Sequence, residues 1–249
     1  MFGVIGGTGL GKIEGLVVEK YETIKTPYGE TSEPLAFGSI AGQLMIAFIA
    51  RHGKNHSIPP HLINYQANIW ALHSVGVKNI IAINTVGSID TRFLSGHFVF
   101  PDQVIDYTYC RKNTFFDGVN NPVKHIDFTY PFDNNLRNHF SKVSRMLELK
   151  YHTSGVYACV QGPRLESASE INRYENDGAD IIGMTGMPEA SLAREIGLNY
   201  ALICPVANHA AGRGLNKDGI SHEEISANSK KMALNIENLI KGTIGSYGN

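Results

Sequence analysis

The chain has 249 residues, a formal net charge of -1 and 18% charged side chains. That length suits one α/β domain, residues 1–249, with a sizeable core. The near-neutral balance excludes the basic footprint of a nucleic-acid binder and an acidic tail. No apolar run approaches the roughly 20 residues needed to span a bilayer. The opening MFGVIGGTGL lacks the basic start and long apolar stretch of a secretory signal, so the expectation is a cytoplasmic protein without a membrane partner.

In chain order, FGVIGG predicts a first buried strand, followed by the glycine-rich GGTGLGK. Gly6, Gly7 and Gly9 let backbone N–H groups approach an anion, and Thr8 adds a hydroxyl. Two nucleotide motifs nearly fit. A dinucleotide fingerprint fails at Lys12, and a Walker A loop fails because Ile13 stands where a hydroxyl must hold Mg²⁺. QLMIAFIA predicts a second strand and ends on Arg51 and His52, a fork of donors beside an imidazole that suits a phosphate. His52, His56 and His61 do not share a helical face, because Pro59 and Pro60 intervene, so no metal site is expected. HLINYQANIWALHSVG reads as a helix closed by Gly76. NIIAINTV is the next strand, ending in Asn84, Thr85 and Ser88, and DNNLRNHFSKVSRMLELK the next helix.

The second half repeats this alternation. SGVYACV leads to QGPRLES, which places Arg164 and Glu166 just before the helix SASEINRYENDG. DIIGM leads to Met184 and Thr185, with Pro188 at the start of the helix MPEASLAREIG. YALICPV ends in PVANHAAG, and SHEEISANSKKMALNIENLIKG closes the chain as a helix, with Ser221 and Glu224 at capping-box spacing. The three cysteines form no CxxC pair, and Cys159 and Cys204 sit in apolar runs as core residues. Strands alternating with helices predict a single α/β domain with a central mixed sheet covered by helices. Ligands in such folds collect at the carboxyl ends of strands. Six of those ends are polar here, with no GxSxG and no nucleophile–base pair of protease type. The set suits a small anion held beside a polar heterocycle.

GGTGL, RHG, PPHLINYQANIWAL, GPRLES, GMTGMPEA and SHEEI together resemble the trimeric purine nucleoside phosphorylase and methylthioadenosine phosphorylase family, from about residue 3 to residue 240. The likeness is greatest to the bacterial methylthioinosine phosphorylase branch. It implies the nucleoside phosphorylase fold and phosphorolysis of a nucleoside to free base and pentose 1-phosphate. It also implies no metal or organic cofactor, inorganic phosphate as co-substrate, and a homotrimer or a dimer of trimers. Carried over by motif, Thr8, Arg51, His52, Asn84, Thr85 and Thr185 would contact phosphate, and Met184 would line the ribose. Asn208, His209 and Ala210 would face the purine, and Glu166 and His222 would vary with substrate. Leu165 stands where relatives often place a stacking phenylalanine.

The residue at 208 bears on the base. A 6-aminopurine offers an N6–H donor, and methylthioadenosine phosphorylases carry acidic residues near it; this chain has Asn208 and Ala210. A 6-oxopurine offers an O6 acceptor and an N1–H donor. The Asn208 amide donates to O6 and accepts from N7–H, and Glu166 accepts from N1–H, so hypoxanthine or guanine is expected. A 6-aminopurine methylthioadenosine phosphorylase is the alternative enzyme, and a non-catalytic nucleoside sensor is the alternative of another class. At the sugar, hydroxyl-preferring members of the family carry histidine where His222 stands, while methylthio-preferring members carry an apolar residue.

Overall fold

A computed structural model describes residues 1–7, 16–40, 44–217 and 219–247 of the chain, and at residues 44, 222 and 224 only the backbone. In chain order the elements are β1 (Phe2–Gly6), β2 (Leu16–Glu22), β3 (Leu35–Ile40), β4 (Leu44–Ala50), α1 (Tyr65–Ser74), β5 (Asn79–Ile83), β6 (Val86–Ser88), β7 (Phe98–Val99) and β8 (Gln103–Asp106). They continue with α2 (Asn134–Met146), β9 (Tyr151–His152), β10 (Val156–Cys159), α3 (Ala168–Asn176), β11 (Ile181–Gly183), α4 (Glu189–Glu195), β12 (Asn199–His209) and α5 (His222–Ser246).

The strands form one mixed sheet in the order β2-β3-β4-β1-β5-β12-β6-β11-β10-β8, with β7 against β12 and β9 against β7. The fold is the expected α/β arrangement, with all six expected strands and all five expected helices in place. The β2–β3 hairpin and the short β6, β7, β8 and β9 widen the sheet beyond those six strands. The central strands are apolar on both faces, which is why they run parallel beneath helices on each side. Successive residues of β5 alternate between the two cores. Ile80 and Ala82 pack in one with α1 and α4, and Ile81 and Ile83 in the other with Leu136 and Phe140 of α2 and Ile236 and Leu239 of α5. A third, smaller cluster joins Ile171 and Tyr174 of α3 to Ala158 and Ile182. Cys159 and Cys204 are buried and unpaired, as expected. No described helix is long and apolar enough to cross a membrane.

Sheet register sets the site. β1 pairs in parallel with β4, Gly6 opposite Ala50, and with β5, Ile5 opposite Ala82. Gly7, Arg51 and Asn84 therefore emerge side by side at one edge. β12 is longer than its neighbours. It pairs with β5 as far as Ile203, then runs on to pair with β6, placing Asn208 opposite Gly87 across an irregularity after Val206. That extension carries Asn208 past the sheet edge defined by β5.

Candidate active site

A cavity of about 380 Å³ opens at this edge. Arg51, His52, Asn84, Thr85, Thr185, Met184, Glu166, Asn208 and Ala210, all expected at the site, line it. Thr8 lies outside the described residues, as do the side chains of His222 and Glu224. His209 does not line the cavity. Strand alternation turns its ring to the opposite face from Asn208 and Ala210, where Nδ1 lies 2.9 Å from Ser88 Oγ. His209 thus departs from the expectation of a purine contact, while its backbone carbonyl accepts from both Asn208 Nδ2 at 2.6 Å and Asn216 Nδ2 at 2.9 Å.

At the end nearest β1, β4 and β5 the side chains form a closed network. Arg51 and Glu189, the first residue of α4, are both fully buried. Arg51 Nε donates to Glu189 Oε1 at 2.5 Å and Nη2 to Oε2 at 2.9 Å. Nη1 donates to Ile83 O at 2.8 Å and Nη2 to Asn84 Oδ1 at 2.9 Å. Tyr200 of β12 donates its hydroxyl to Glu189 Oε2 at 2.8 Å. Burial works to lower the Arg51 pKa, but the charge and hydrogen bonds of Glu189 more than offset it, and the guanidinium is held above its ordinary value. Asn84 Nδ2 donates to Thr185 Oγ1 at 2.9 Å, so the Thr185 hydroxyl has its own proton to offer elsewhere. Tyr157, buried beneath this loop, accepts at 3.4 Å from the backbone N–H groups of Thr185 and Gly186.

Two glycines make the packing possible. A Cβ on Gly7 would lie 2.2 Å from Ile83 O and 3.1 Å from Arg51 Nη1, and one on Gly183 would lie 2.4 Å from the Tyr157 hydroxyl. Any side chain at either position would push the strand ends apart. His52 follows Arg51, and its Nδ1 lies 2.9 Å from Ile58 O. A carbonyl there fixes the proton on Nδ1. Burial, then the neighbouring Arg51 charge, push the imidazole down to about 3, so it is neutral near pH 7 and its Nε2 is an acceptor.

The other end, at β6, β11 and the outer part of β12, is less enclosed. Ser167 and Glu170 form a reciprocal capping box at the start of α3, and exposed Arg164 grips Glu170 through two bonds of 2.7 and 2.8 Å. This brace holds the intervening Leu165 and Glu166 against the cavity. Burial raises the Glu166 carboxyl above its ordinary value. Ile220 and Ile225 also line the cavity and give it an apolar side.

Four residues that support the site were not anticipated from the sequence: Glu189, Tyr157, Tyr200 and Arg111. Arg111 lies on the long connection between β8 and α2. It donates to Met184 O (2.9 Å), Met187 O (2.6 Å) and Gln161 O (2.9 Å), tying the loop after β10 to the loop after β11. Glu189 had a legible signal: an arginine ending a core strand needs a buried counter-charge, and MPEASLA places one carboxylate at the head of an apolar helix.

Comparison with known proteins agrees with this architecture. The phosphorylase superfamily model matches residues 1–245. A probable S-methyl-5'-thioinosine phosphorylase of Pseudomonas syringae pv. tomato is 47% identical over 213 residues, 86% of each chain. A 6-oxopurine nucleoside phosphorylase of Pyrococcus furiosus is 43% identical over 246 residues, 97% of this chain and 91% of that one. Methylthioadenosine phosphorylase from Schistosoma mansoni, solved with adenine, superposes with a TM-score of 0.94 at 28% identity, covering 99% of this chain and 91% of the other. With the polar strand ends gathered around one cavity and the family match running through almost all of the sequence, the chain belongs to the phosphorylase superfamily.

Proposed function

We propose that this phosphorylase cleaves the N-glycosidic bond of 6-oxopurine nucleosides with inorganic phosphate, releasing the free base and a pentose 1-phosphate. The observation that carries the reading is the joining, in one cavity, of the Arg51–Asn84–Thr185 cluster with Glu166 and Asn208. Phosphate binds at the first cluster, with the Thr185 and Thr85 hydroxyls, and Thr8 by family resemblance, as further contacts. The His52 Nε2 accepts from the O–H of hydrogen phosphate. Ribose lies along Met184. The purine lies between Asn208 and Glu166, beside Ala210.

The chemistry follows from these positions. As the C1′–N9 bond breaks, its electron pair leaves with the purine and the sugar becomes oxocarbenium-like. Phosphate beside C1′ stabilises that cation and bonds to it through one oxygen. The proton that hydrogen phosphate loses is balanced by the one gained at purine N7, where the Asn208 carbonyl accepts it in a hydrogen bond. No covalent enzyme intermediate, metal or organic cofactor enters this scheme. Names of relatives point to both methylthioinosine and 6-oxopurine nucleosides as substrates. The apolar Ile220 and Ile225 suit a methylthio group, so both are proposed as substrates in purine salvage. A cytoplasmic homotrimer, or a dimer of such trimers, is proposed as the working form and is checked by light scattering.

The test is to incubate the protein with inosine, methylthioinosine, adenosine and methylthioadenosine, with and without phosphate, and follow base release. Hypoxanthine release that depends on phosphate is expected. Release without phosphate identifies a hydrolase, preferential adenine release identifies the 6-aminopurine enzyme, and no release from any nucleoside identifies a sensor.

A further inference from the structure

Among the described residues lining the cavity, Arg51 is the only formal cation, and its fork faces away from the cavity toward a carboxylate that does not line it. We infer that Glu189 is a positioning residue for the phosphorolytic reaction: it fixes the plane of Arg51 and cancels most of its charge, so that phosphate is held by fixed dipoles rather than by a free cation. The inference rests on the assignment of Arg51 to the phosphate end.

Three observations support it. The bidentate contact uses Nε and Nη2, and Ile83 O and Asn84 Oδ1 hold two more N–H groups, so four of the five guanidinium donors are fixed within the protein. Both side chains are fully excluded from solvent, so the carboxylate acts on Arg51 with little screening. His52, the other basic group beside Arg51, is held neutral chiefly by burial, and burial also lowers the His56 imidazole. The Tyr200 hydroxyl in turn draws on Glu189 Oε2 and tempers how much charge the carboxylate imposes on Arg51. A site built in this way binds phosphate loosely and gives up its anionic product readily, while keeping the anion oriented for the transition state.

The inference predicts an unusual sign. In Glu189→Gln the shape of the partner is kept and its charge removed, so Arg51 presents a full charge to the anion. The apparent melting temperature should fall without phosphate, and inorganic phosphate alone should bind about tenfold tighter by calorimetry. KM for phosphate should drop, kcat should drop with it because the guanidinium is no longer held in plane, and KM for inosine should stay unchanged. Glu189→Asp keeps the charge, so its phosphate affinity should stay near that of the parent while kcat falls. Phosphate affinity that is unchanged or weaker in Glu189→Gln overturns the inference. If that variant does not fold at any phosphate concentration, Tyr200→Phe decides. Loss of the phenol leaves more carboxylate charge on Arg51, and phosphate affinity should weaken about two- to threefold; unchanged or tighter binding overturns the inference. Arg51→Lys separates the two levels: weakened phosphate binding there with no change in Glu189→Gln overturns the role of Glu189 alone, whereas no change in either variant overturns the site assignment itself.

Discussion

The two ends of the cavity are held by different means. At the proposed phosphate end, Arg51, Glu189, Asn84 and Thr185 are buried and bonded to one another, so their positions are fixed before any ligand arrives. At the proposed purine end, Glu166 is braced only from behind, through the Arg164–Glu170 capping box, and among the described residues no ion pair holds its carboxylate. Asn208 spends one N–H on the neighbouring His209 carbonyl, and its remaining amide capacity is what the proposed function assigns to the base. Phosphate has one shape and one chemistry, so a preorganised cradle suits it. A base is chosen by the polarity of its edge, and that choice rests on groups whose partners the substrate must supply.

The largest expected effect tests the purine end. A site built to hydrogen-bond a 6-oxopurine leaves polar groups unpaired against a 6-aminopurine, and such sites discriminate by about 10⁴-fold or more. Inosine-type substrates should therefore exceed adenosine-type substrates by that order in kcat/KM. Asn208→Asp should move the preference toward adenosine, because a carboxylate accepts from N6–H and no longer donates to O6; Glu166 limits the gain. Equal rates of the parent protein on adenosine and inosine would mean that Asn208 does not read the base.

The phosphate end is tested by Arg51→Lys. An ammonium keeps the charge but cannot reach Glu189, Ile83 and Asn84 together. Loss of the guanidinium bonds that hold Asn84 and the strand ends in place, about 1.5–3 kcal/mol, should lower kcat/KM for phosphate by roughly 10- to 100-fold and leave KM for inosine nearly constant. An equal loss on both substrates would show a general collapse of the strand ends instead of a local effect on the anion.

The sequence made these two ends unequally legible. The strands ending in Arg51, Asn84, Thr185 and Asn208 were readable because they are continuous apolar runs buried on both faces. The β2–β3 hairpin was not, because β2 is an exposed, charge-bearing edge whose Val17 and Tyr21 face solvent. Within the site, residues pointing into the cavity follow from the strand-end rule. Tyr157, Tyr200 and Arg111 act from behind the lining or from a distant loop, and only the three-dimensional packing brings them there, whereas Glu189 is legible as the counter-charge a buried Arg51 requires. His209 could have been assigned from strand alternation, since Asn208 and Ala210 share one face and the residue between them must take the other.

Glu166 offers a smaller effect with two readouts. Burial raises its carboxyl above the ordinary value of 4.5. In the proposed site the ionised form accepts from purine N1–H, so kcat/KM for inosine should fall on acidification, with a midpoint above that value. Glu166→Gln should remove this acid limb and lower kcat/KM roughly 20-fold, the difference between a charged and a neutral acceptor. Because the folded-state pKa is raised, the carboxyl stabilises the fold only while protonated. That contribution is complete below pH 4.5 and is lost as pH rises through the raised value. At neutral pH the glutamine variant should therefore melt higher than the parent while working more slowly. A variant that is both slower and less stable would show that Glu166 serves packing, not the base.

The smallest effect concerns the 5′ group of the sugar. The described backbone starts α5 at His222, a position where hydroxyl-preferring members of the family carry histidine, while Ile220 and Ile225 give the cavity an apolar side. One hydrogen bond to a 5′-hydroxyl is worth roughly 0.5–1.5 kcal/mol, and burying a methylthio group about 1–2 kcal/mol. Neither term dominates, so inosine and methylthioinosine should both be turned over, with inosine not strongly disfavoured. His222→Val removes the polar term and leaves the apolar one. The ratio of kcat/KM for methylthioinosine over inosine should rise about tenfold, equivalent to about 1.4 kcal/mol. Phosphate kinetics should be unaffected, since the network described at the far end of the cavity joins Arg51, Asn84, Thr185, Glu189 and Tyr200, which belong to other elements. A ratio that does not move would show that His222 has no contact with the sugar, leaving the choice of 5′ group to the isoleucines alone.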